Sequence, residues 1–410
     1  MSATDSINRR GFIATSAVGA AAVSAAFGAP AKGQVLGAND TINMAVIGCG
    51  GMGTGHLRRL VDMSNKPDAK VKVVAVCDVY EPRKERAANI SGADVHHHYS
   101  EVLARPDVDA VLIATPDHWH AQISIDALES GKDVYCEKPV TLYWWEAKQV
   151  RDVVKRTGRV FQCGVQSTSD DIWWQANKLI RQDKLGKLIW TQSGYCRNGR
   201  GGEWNWGIDD GCSPDTLDWD LWLGPAPKRP FDPERFFRFR KYWDYGGGVA
   251  TDLLFHALGH ISIALGPEFP ESVTANGGIY VQTDREVPDT YHTVIVYPSG
   301  HSVVLASSMC NQQAWPEAIR GHEATMYFEG PGIVVRPENA YENEREEIEV
   351  GREPRDNHMD NFLKCVRTRE KPHCNEEVAF RVCCAIALGV ESYRTGRTIR
   401  FDPVKEEVIG

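Results

Sequence analysis

The apolar positions along the chain fall into two rhythms. Between residues 42 and 165, short, mostly apolar runs alternate with stretches in which apolar residues recur every three or four positions. The runs 44–47, 71–77, 108–114, 133–136 and 160–165 predict strands buried on both faces. The stretches 54–63, 82–90, a segment ending at Ser130 before Gly131, and 145–157 predict helices. Strand and helix in alternation, with short links, predict a parallel, doubly wound sheet of the α/β class.

After residue 166 the rhythm changes. A helix is expected over 170–182 and a strand over 188–195, followed by an aperiodic Gly-, Trp- and Asp-rich stretch, 197–243. Gly246-Gly247-Gly248 then leads into a helical pattern over 249–265. Period-two alternation over 272–281, 290–297, 302–308 and 324–328 predicts half-buried strands, hence an α+β domain with a mostly antiparallel sheet. Closing helices over 355–367 and 377–393 are expected to return to the first domain. The expected division is 1–31, a leader; 32–165, a dinucleotide-binding domain; 166–370, a substrate domain; and 371–410, a helix and tail packing back on the first domain.

The leader stands outside both rhythms. Arg9-Arg10-Gly11-Phe12 precedes an Ala/Gly-rich apolar stretch to Phe27, and Ala29-Pro30-Ala31 has the small residues of a cleavage site. A twin-arginine signal peptide is expected, too short and too mildly apolar to span a bilayer, with a periplasmic mature protein and no membrane anchor. The chain has 46 basic and 55 acidic residues; removing Asp5, Arg9 and Arg10 with the leader changes the net charge from −9 to 44 − 54 = −10. Without basic runs, this balance argues against nucleic acid or an anionic membrane as partner. The eleven cysteines are odd in number and form no CxxC pair, so buried thiols rather than a disulfide framework are expected.

The first apolar run ends in Gly48-Cys49-Gly50-Gly51-Met52-Gly53, a G-x-G-x-x-G turn opening a helix. Its glycines permit the tight turn, the approach of a pyrophosphate and close helix–strand packing, while the helix N-terminus offers free N–H groups. The second run ends in Asp78, placed to accept hydrogen bonds from ribose hydroxyls. A methyltransferase-type nucleotide site shares this start. Two more unusual stretches fall at strand ends, Thr115-Pro116-Asp117-His118-Trp119-His120 and Glu137-Lys138-Pro139. Thr115, Pro116, His120, Glu137 and Lys138 join the glycine turn and Asp78 as candidate cofactor contacts. A lysine fixed there, ahead of a proline, can stabilise a developing alkoxide or tune a neighbouring base; a surface Glu137–Lys138 pair is the structural alternative. Asp252 and His256, spaced i and i+4, share a helix face, where the carboxylate would set the imidazole tautomer; His260 lies one turn on. Eleven of the twelve tryptophans lie between residues 119 and 243. Most are core or loop anchors, but Trp204, Trp206 and Trp243, in a polar Gly-rich setting, are candidates to stack on a sugar ring. His96-His97-His98 is assigned to a loop or edge strand rather than to a metal, because consecutive strand side chains point to opposite faces.

The ordered set of G-x-G-x-x-G, Asp78, Ala114-Thr115-Pro116, Glu137-Lys138-Pro139 and Gly246-Gly247-Gly248 with Asp252-x-x-x-His256 resembles the glucose–fructose oxidoreductase/inositol dehydrogenase (Gfo/Idh/MocA) family, over everything after the leader. The set also disposes of the methyltransferase reading. The resemblance implies that Lys138, Asp252 and His256 are the catalytic set, that the proline after the lysine is often cis, and that Gln166 lines the nicotinamide and substrate pocket. One departure is that Leu258-Gly259-His260 stands where many relatives carry an acidic residue. The implied reaction is hydride transfer between nicotinamide and a hydroxyl-bearing carbon of a sugar, polyol or sugar derivative. His256 would take the proton, Asp252 would orient His256, and Lys138 would stabilise the oxygen. Asp78 without an adjacent arginine favours NAD over NADP. Export implies a cofactor loaded in the cytoplasm and retained. That leaves a redox-neutral NAD-dependent glycoside hydrolase as the alternative, and a sugar-binding protein without turnover as a third, against which the intact catalytic set counts. The resemblance also implies a homo-oligomer surface on the second sheet.

Overall fold

The computed structural model describes residues 40–409, so the leader and its arginine pair lie outside the described residues. The first apolar run becomes β1 (Ile42–Ile47), and its alternate side chains enter two different cores. Ile42, Met44 and Val46 pack with Leu57, Leu60 and Tyr135, whereas Ala45 and Ile47 pack with Ile113, Val134 and Cys136. A strand buried on both sides gains from an apolar residue at every position, which is why Met44-Ala45-Val46-Ile47 shows no alternation. β2 (Val71–Cys77), β3 (Asp94–His96), β4 (Ala110–Ile113), β5 (Asp133–Glu137) and β6 (Phe161–Gly164) complete the sheet. Its order is β3-β2-β1-β4-β5-β6, and every pair is parallel. The order reverses between β1 and β4, where the carboxyl ends of the strands leave an open crevice. Helices Gly51–Ser64 and His358–Thr368 cover one face, and Asp117–Glu129 and Trp144–Thr157 the other.

The second sheet is built on β7 (Leu188–Cys196), β8 (Ser272–Gly278), β9 (Thr290–Val296) and β10 (Ser302–Ser308). It continues through β11 (Ala318–Gly321), β12 (Ala324–Glu329), β13 (Gly332–Pro337), β14 (Ile348–Val350), β15 (Ile399–Asp402) and β16 (Glu407–Ile409). The ten strands run in the order β14-β13-β12-β11-β7-β10-β9-β8-β15-β16, antiparallel except for the β7–β10 pair. The sequence reading missed five of these strands: β11, β14, β15 and β16 have only three or four residues, and β13 carries glycine and proline at its ends. β9 alternates buried Tyr291, Thr293 and Ile295 with exposed His292, Val294 and Val296. One face of the sheet therefore joins the core and the other is open.

The chain end serves both domains. Helix Glu376–Thr395 packs on helix Trp144–Thr157 of the first domain and on β8; β15 and β16 extend the second sheet, while Phe401 meets Trp144 and Glu406 pairs with Arg151 on that first-domain helix. The cause is the pattern Ile399-Arg400-Phe401, whose alternate apolar side chains enter the core. That core is continuous: Val134 and Val150 of the first domain and Val303 and Ile295 of the second belong to one cluster.

β1 meets its helix through a tight contact. Gly48 has φ +88°, a conformation that L side chains rarely adopt, and its carbonyl oxygen would lie 1.8 Å from a Cβ on Gly53. Gly53→Ala is therefore expected to push the helix off the strand and to cost about 1–3 kcal/mol. Urea unfolding of the variant against the parent protein measures this.

Candidate active site

The crevice at the β1–β4 switch point is lined on one side by Gly48, Gly50, Met52, Asp78, Thr115 and Pro116. Helix Gly51–Ser64 starts there with no side-chain cap and no acidic residue in its first turn, so its N–H groups and positive dipole end remain available to an anion. A Cβ on Gly51 would meet nothing within 4 Å, and one on Gly50 only the Arg83 guanidinium at 3.6 Å. No protein packing requires glycine at these two positions; the open space is room for a ligand. Asp78 is buried, its Oδ2 accepting from the Cys49 N–H (2.7 Å) and its Oδ1 from the Tyr80 N–H (3.0 Å). Each oxygen keeps a lone pair for a ribose hydroxyl. These residues fit a dinucleotide.

The facing wall comes from the aperiodic segment, which forms helices Trp219–Leu223 and Pro233–Phe237 and the 3₁₀ turn Phe239–Lys241. It is fastened to the first domain along the end of β2. Thr216 O accepts from the Glu81 N–H (2.9 Å), the Asp218 N–H donates to Val79 O (3.1 Å), and Tyr80 Oη donates to Asp209 (2.5 Å). His97 Nε2 contacts Asp218 at 3.0 Å. The segment thereby brings Leu221, Trp222, Phe236 and Phe237 to the crevice, with the Arg83 guanidinium 4.4 Å from the Phe236 ring centre.

Where β5 ends, three charges meet. Lys138 Nζ donates to Asp252 Oδ1 (2.6 Å) and to the Asp252 carbonyl (2.8 Å), and the Lys138–Pro139 peptide bond is cis. Arg240 Nε donates to the same Oδ1 (2.8 Å), and Trp204 Nε1 donates to Oδ2 (3.1 Å). Burial alone would raise the Asp252 pKa, but the Lys138 and Arg240 charges outweigh it and hold the carboxyl well below the usual range. His256 is pushed down to about 4 by burial and by the Lys138 ammonium, so its imidazole is neutral at pH 7. Behind Lys138, buried Glu137 contacts His56 Nε2 (2.7 Å) and accepts from Gln166 Nε2 (3.0 Å).

The model of the oxidoreductase family's NAD-binding Rossmann fold matches residues 42–165, and that of the family's C-terminal alpha/beta domain matches residues 201–410. The chain belongs to the Gfo/Idh/MocA oxidoreductase family. Among curated relatives, the scyllo-inositol 2-dehydrogenase (NAD(+)) of Bacillus subtilis is 35% identical over 158 residues, 38% of this chain and 45% of that protein. A glycosyl hydrolase family 109 protein of Shewanella pealeana is 28% identical over 218 residues, 46% of each chain. These alignments span less than half the length of either relative. Levoglucosan dehydrogenase, solved with NADH and L-sorbose, shares the fold with a TM-score of 0.68 at 19% identity, over 88% of this chain and 99% of that one.

Within this Gfo/Idh/MocA chain, several residues stand elsewhere than expected. Asp252 makes no hydrogen bond to His256. The first turn of the predicted helix is a π-turn, Ala250–Leu254, and only Phe255–Leu265 is α-helical. A π-turn breaks the i, i+4 superposition, and the carboxylate serves Lys138, Arg240 and Trp204 instead. Trp204 is buried behind Asp252, so it holds the carboxylate and offers no sugar-stacking face. Trp243 packs on Tyr393 and under Arg394 in a separate depression, away from the crevice, because the turn at Tyr242–Tyr245 directs it outward. Trp206 lines the crevice and is half exposed. His260 stacks on Trp173 (4.0 Å) and is tied to Glu317 (2.9 Å) and Ser167 (3.1 Å). His120 lies beneath the crevice floor, between the carbonyls of Pro139 (2.6 Å) and Thr115 (2.9 Å). Burial disfavours its imidazolium, but Cys136, Asp117 and the Pro139 carbonyl outweigh that and raise it to about 9. It braces two loops and does not face the cofactor groove. The adjacent histidines part company: His96 pairs with Glu101, His97 with Asp218, and His98 caps helix Tyr99–Leu103.

Sequence reasoning missed Arg240 and His56. The only signal for Arg240 was the aromatic and basic run Phe236-Phe237-Arg238-Phe239-Arg240-Lys241-Tyr242-Trp243. Asp252→Ala is expected to leave two buried cations without a counter-ion, destabilising the protein by about 3–5 kcal/mol. The midpoint of urea unfolding checks this. Trp243→Ala, remote from the crevice, is expected to leave NAD affinity unchanged within about a factor of two, as for other surface changes, which a fluorescence titration measures.

Proposed function

We propose that this protein transfers a hydride between NAD and a hydroxyl-bearing ring or chain carbon of a sugar, polyol or sugar derivative, on a cofactor it retains between turnovers. The observation that carries this reading is the Lys138 ammonium held 2.6 Å from Asp252 at the end of β5, with neutral His256 beside it and the dinucleotide groove adjoining. Bound nicotinamide supplies the hydride acceptor or donor. The chain's own residues handle the oxygen and its proton. His256, deprotonated at neutral pH, takes the hydroxyl proton as the carbon is oxidised and returns it in reduction. Lys138 faces the oxygen and stabilises its developing negative charge. Asp252 acts on Lys138, fixing its Nζ from two directions, rather than on the imidazole. Asp78 in the ribose position supports NAD over NADP, since a 2′-phosphate would face its carboxylate.

Retention draws support from the fastened segment, which walls the adenosine end with Leu221, Trp222, Phe236 and Phe237. It agrees with export of a folded, loaded enzyme by way of the Arg9-Arg10 leader. A cofactor that never leaves must be restored within each cycle. The likeness to a glycosyl hydrolase family 109 protein therefore keeps a redox-neutral hydrolase as second reading: transient oxidation, elimination of the aglycone, hydration and reduction. A second copy of the chain is proposed to pair through the open face of the second sheet, where Val294 and Val296 stand exposed; light scattering gives the mass.

Lys138→Ala and His256→Ala are each expected to lower turnover by at least about 10²-fold with unchanged circular dichroism, the usual contribution of a positioned proton-transfer group. Wild-type activity in both would overturn the mechanism. The acid limb of kcat/KM is expected near pH 4, where His256 gains its proton. Removing the positive charge in Lys138→Met relieves the repulsion and moves the His256 titration upward, by roughly one unit, as read by NMR of the labelled imidazole. Denaturing the purified protein and weighing the released nucleotides tests retention: near-stoichiometric NAD or NADH supports it, and an empty protein that binds NAD reversibly points to an ordinary dehydrogenase.

A further inference from the structure

Arg240 has more hydrogen-bonding capacity than the structure uses. Its Nε donates to Asp252 Oδ1, and among the described residues neither Nη group has a hydrogen-bond partner. The side chain is about four-fifths buried, with 21% of its surface exposed, and it lines the crevice beside Trp206, whose ring centre lies 5.5 Å from the guanidinium carbon. With Nε engaged by Asp252 and the guanidinium carbon 4.5 Å from the Phe239 ring centre, the two Nη groups remain as an unpaired fork. That fork matches a carboxylate in bidentate geometry.

The local charge balance points the same way. At this end of the crevice Lys138 and Arg240 are cationic, and Asp252 and Glu137 are anionic. His256 is neutral at pH 7, and beneath the floor Asp117, its pKa raised by burial, lies near His120, whose pKa is raised to about 9. Oxidised nicotinamide brings a further positive charge on its ring to a partly dry setting that already holds the Lys138 and Arg240 cations. An anionic group beside Arg240 is attracted by these charges. The cofactor phosphates have their own place at the glycine turn, where Arg83 is the nearby guanidinium.

We propose that the substrate is a sugar acid, its carboxylate held by the free fork of Arg240 and its ring against Trp206. This rests on the crevice being the substrate site of the oxidoreductase reading above. The test is calorimetric, on the full chain saturated with NAD, using glucuronate and galacturonate against glucose and galactose and against the two uronamides, which keep the shape and lose the charge. At least one acid is expected to bind about tenfold more tightly than its neutral sugar and its amide, the worth of a charge-assisted bidentate contact. In Arg240→Gln that preference should fall below about twofold, and Arg240→Lys should retain part of it, having the charge without the fork. Equal binding of acid and neutral forms, or no measurable binding of either acid, overturns the proposal. So does a variant that loses NAD affinity while keeping the acid preference, which would make Arg240 a cofactor contact. If Arg240→Gln does not fold, the acid-to-amide comparison on the parent protein decides alone. Nicotinamide absorbance is followed separately: acids that bind without ever changing it would sink the oxidoreductase reading and leave the anion site standing.

Discussion

One carboxylate oxygen ties the two halves of this protein together at the place where they must cooperate. Asp252 Oδ1 receives Lys138 from the end of β5 and Arg240 from the segment that walls the crevice. Asp252 itself sits on the π-turn opening the helix of the second domain. Buried ion pairs of this kind add little net stability when complete, yet are expensive to break. Their effect here is geometric. Lys138 and Arg240 cannot both reach that oxygen unless β5, the π-turn and the 3₁₀ turn at Phe239–Lys241 all hold their positions. The continuous core beneath them, running from Val134 to Ile295, keeps those positions fixed.

The first domain was legible because it obeys the strongest rules. Strands buried on both faces need unbroken apolar runs, and a glycine turn between strand and helix has few alternative uses. The run Val71–Cys77 and the helix ending at Thr157 emerge from the structure with the expected ends. The second domain was legible where alternation is clean, as over Thr290–Val296, and illegible where strands have three or four residues and borrow their stability from neighbours already in place, as at Ile348–Val350.

The site divides along the same line. Gly48, Asp78 and Lys138, which the motifs single out, line the crevice because each stands at the end of a strand of the first sheet. What Asp252 does could not be read from a motif, because one extra residue in a helical turn redirects its side chain and no periodicity records it. Arg240 and Trp204 were hidden for a related reason. Their roles depend on contacts over 12 and 48 positions of aperiodic chain, and a sequence carries no signal for where such a chain comes to rest.

The segment from Trp206 to Arg240 touches both ends of the crevice. Near its middle it is buttoned to the end of β2 through Thr216 and Asp218; at its end it delivers Arg240 to the buried carboxylate of Asp252. On the proposed reading, affinity for dinucleotide and affinity for the reacting molecule are functions of one stretch of backbone. Any effect that one ligand has on the other's affinity through this stretch must, by reciprocity, be matched by the same factor in the opposite direction.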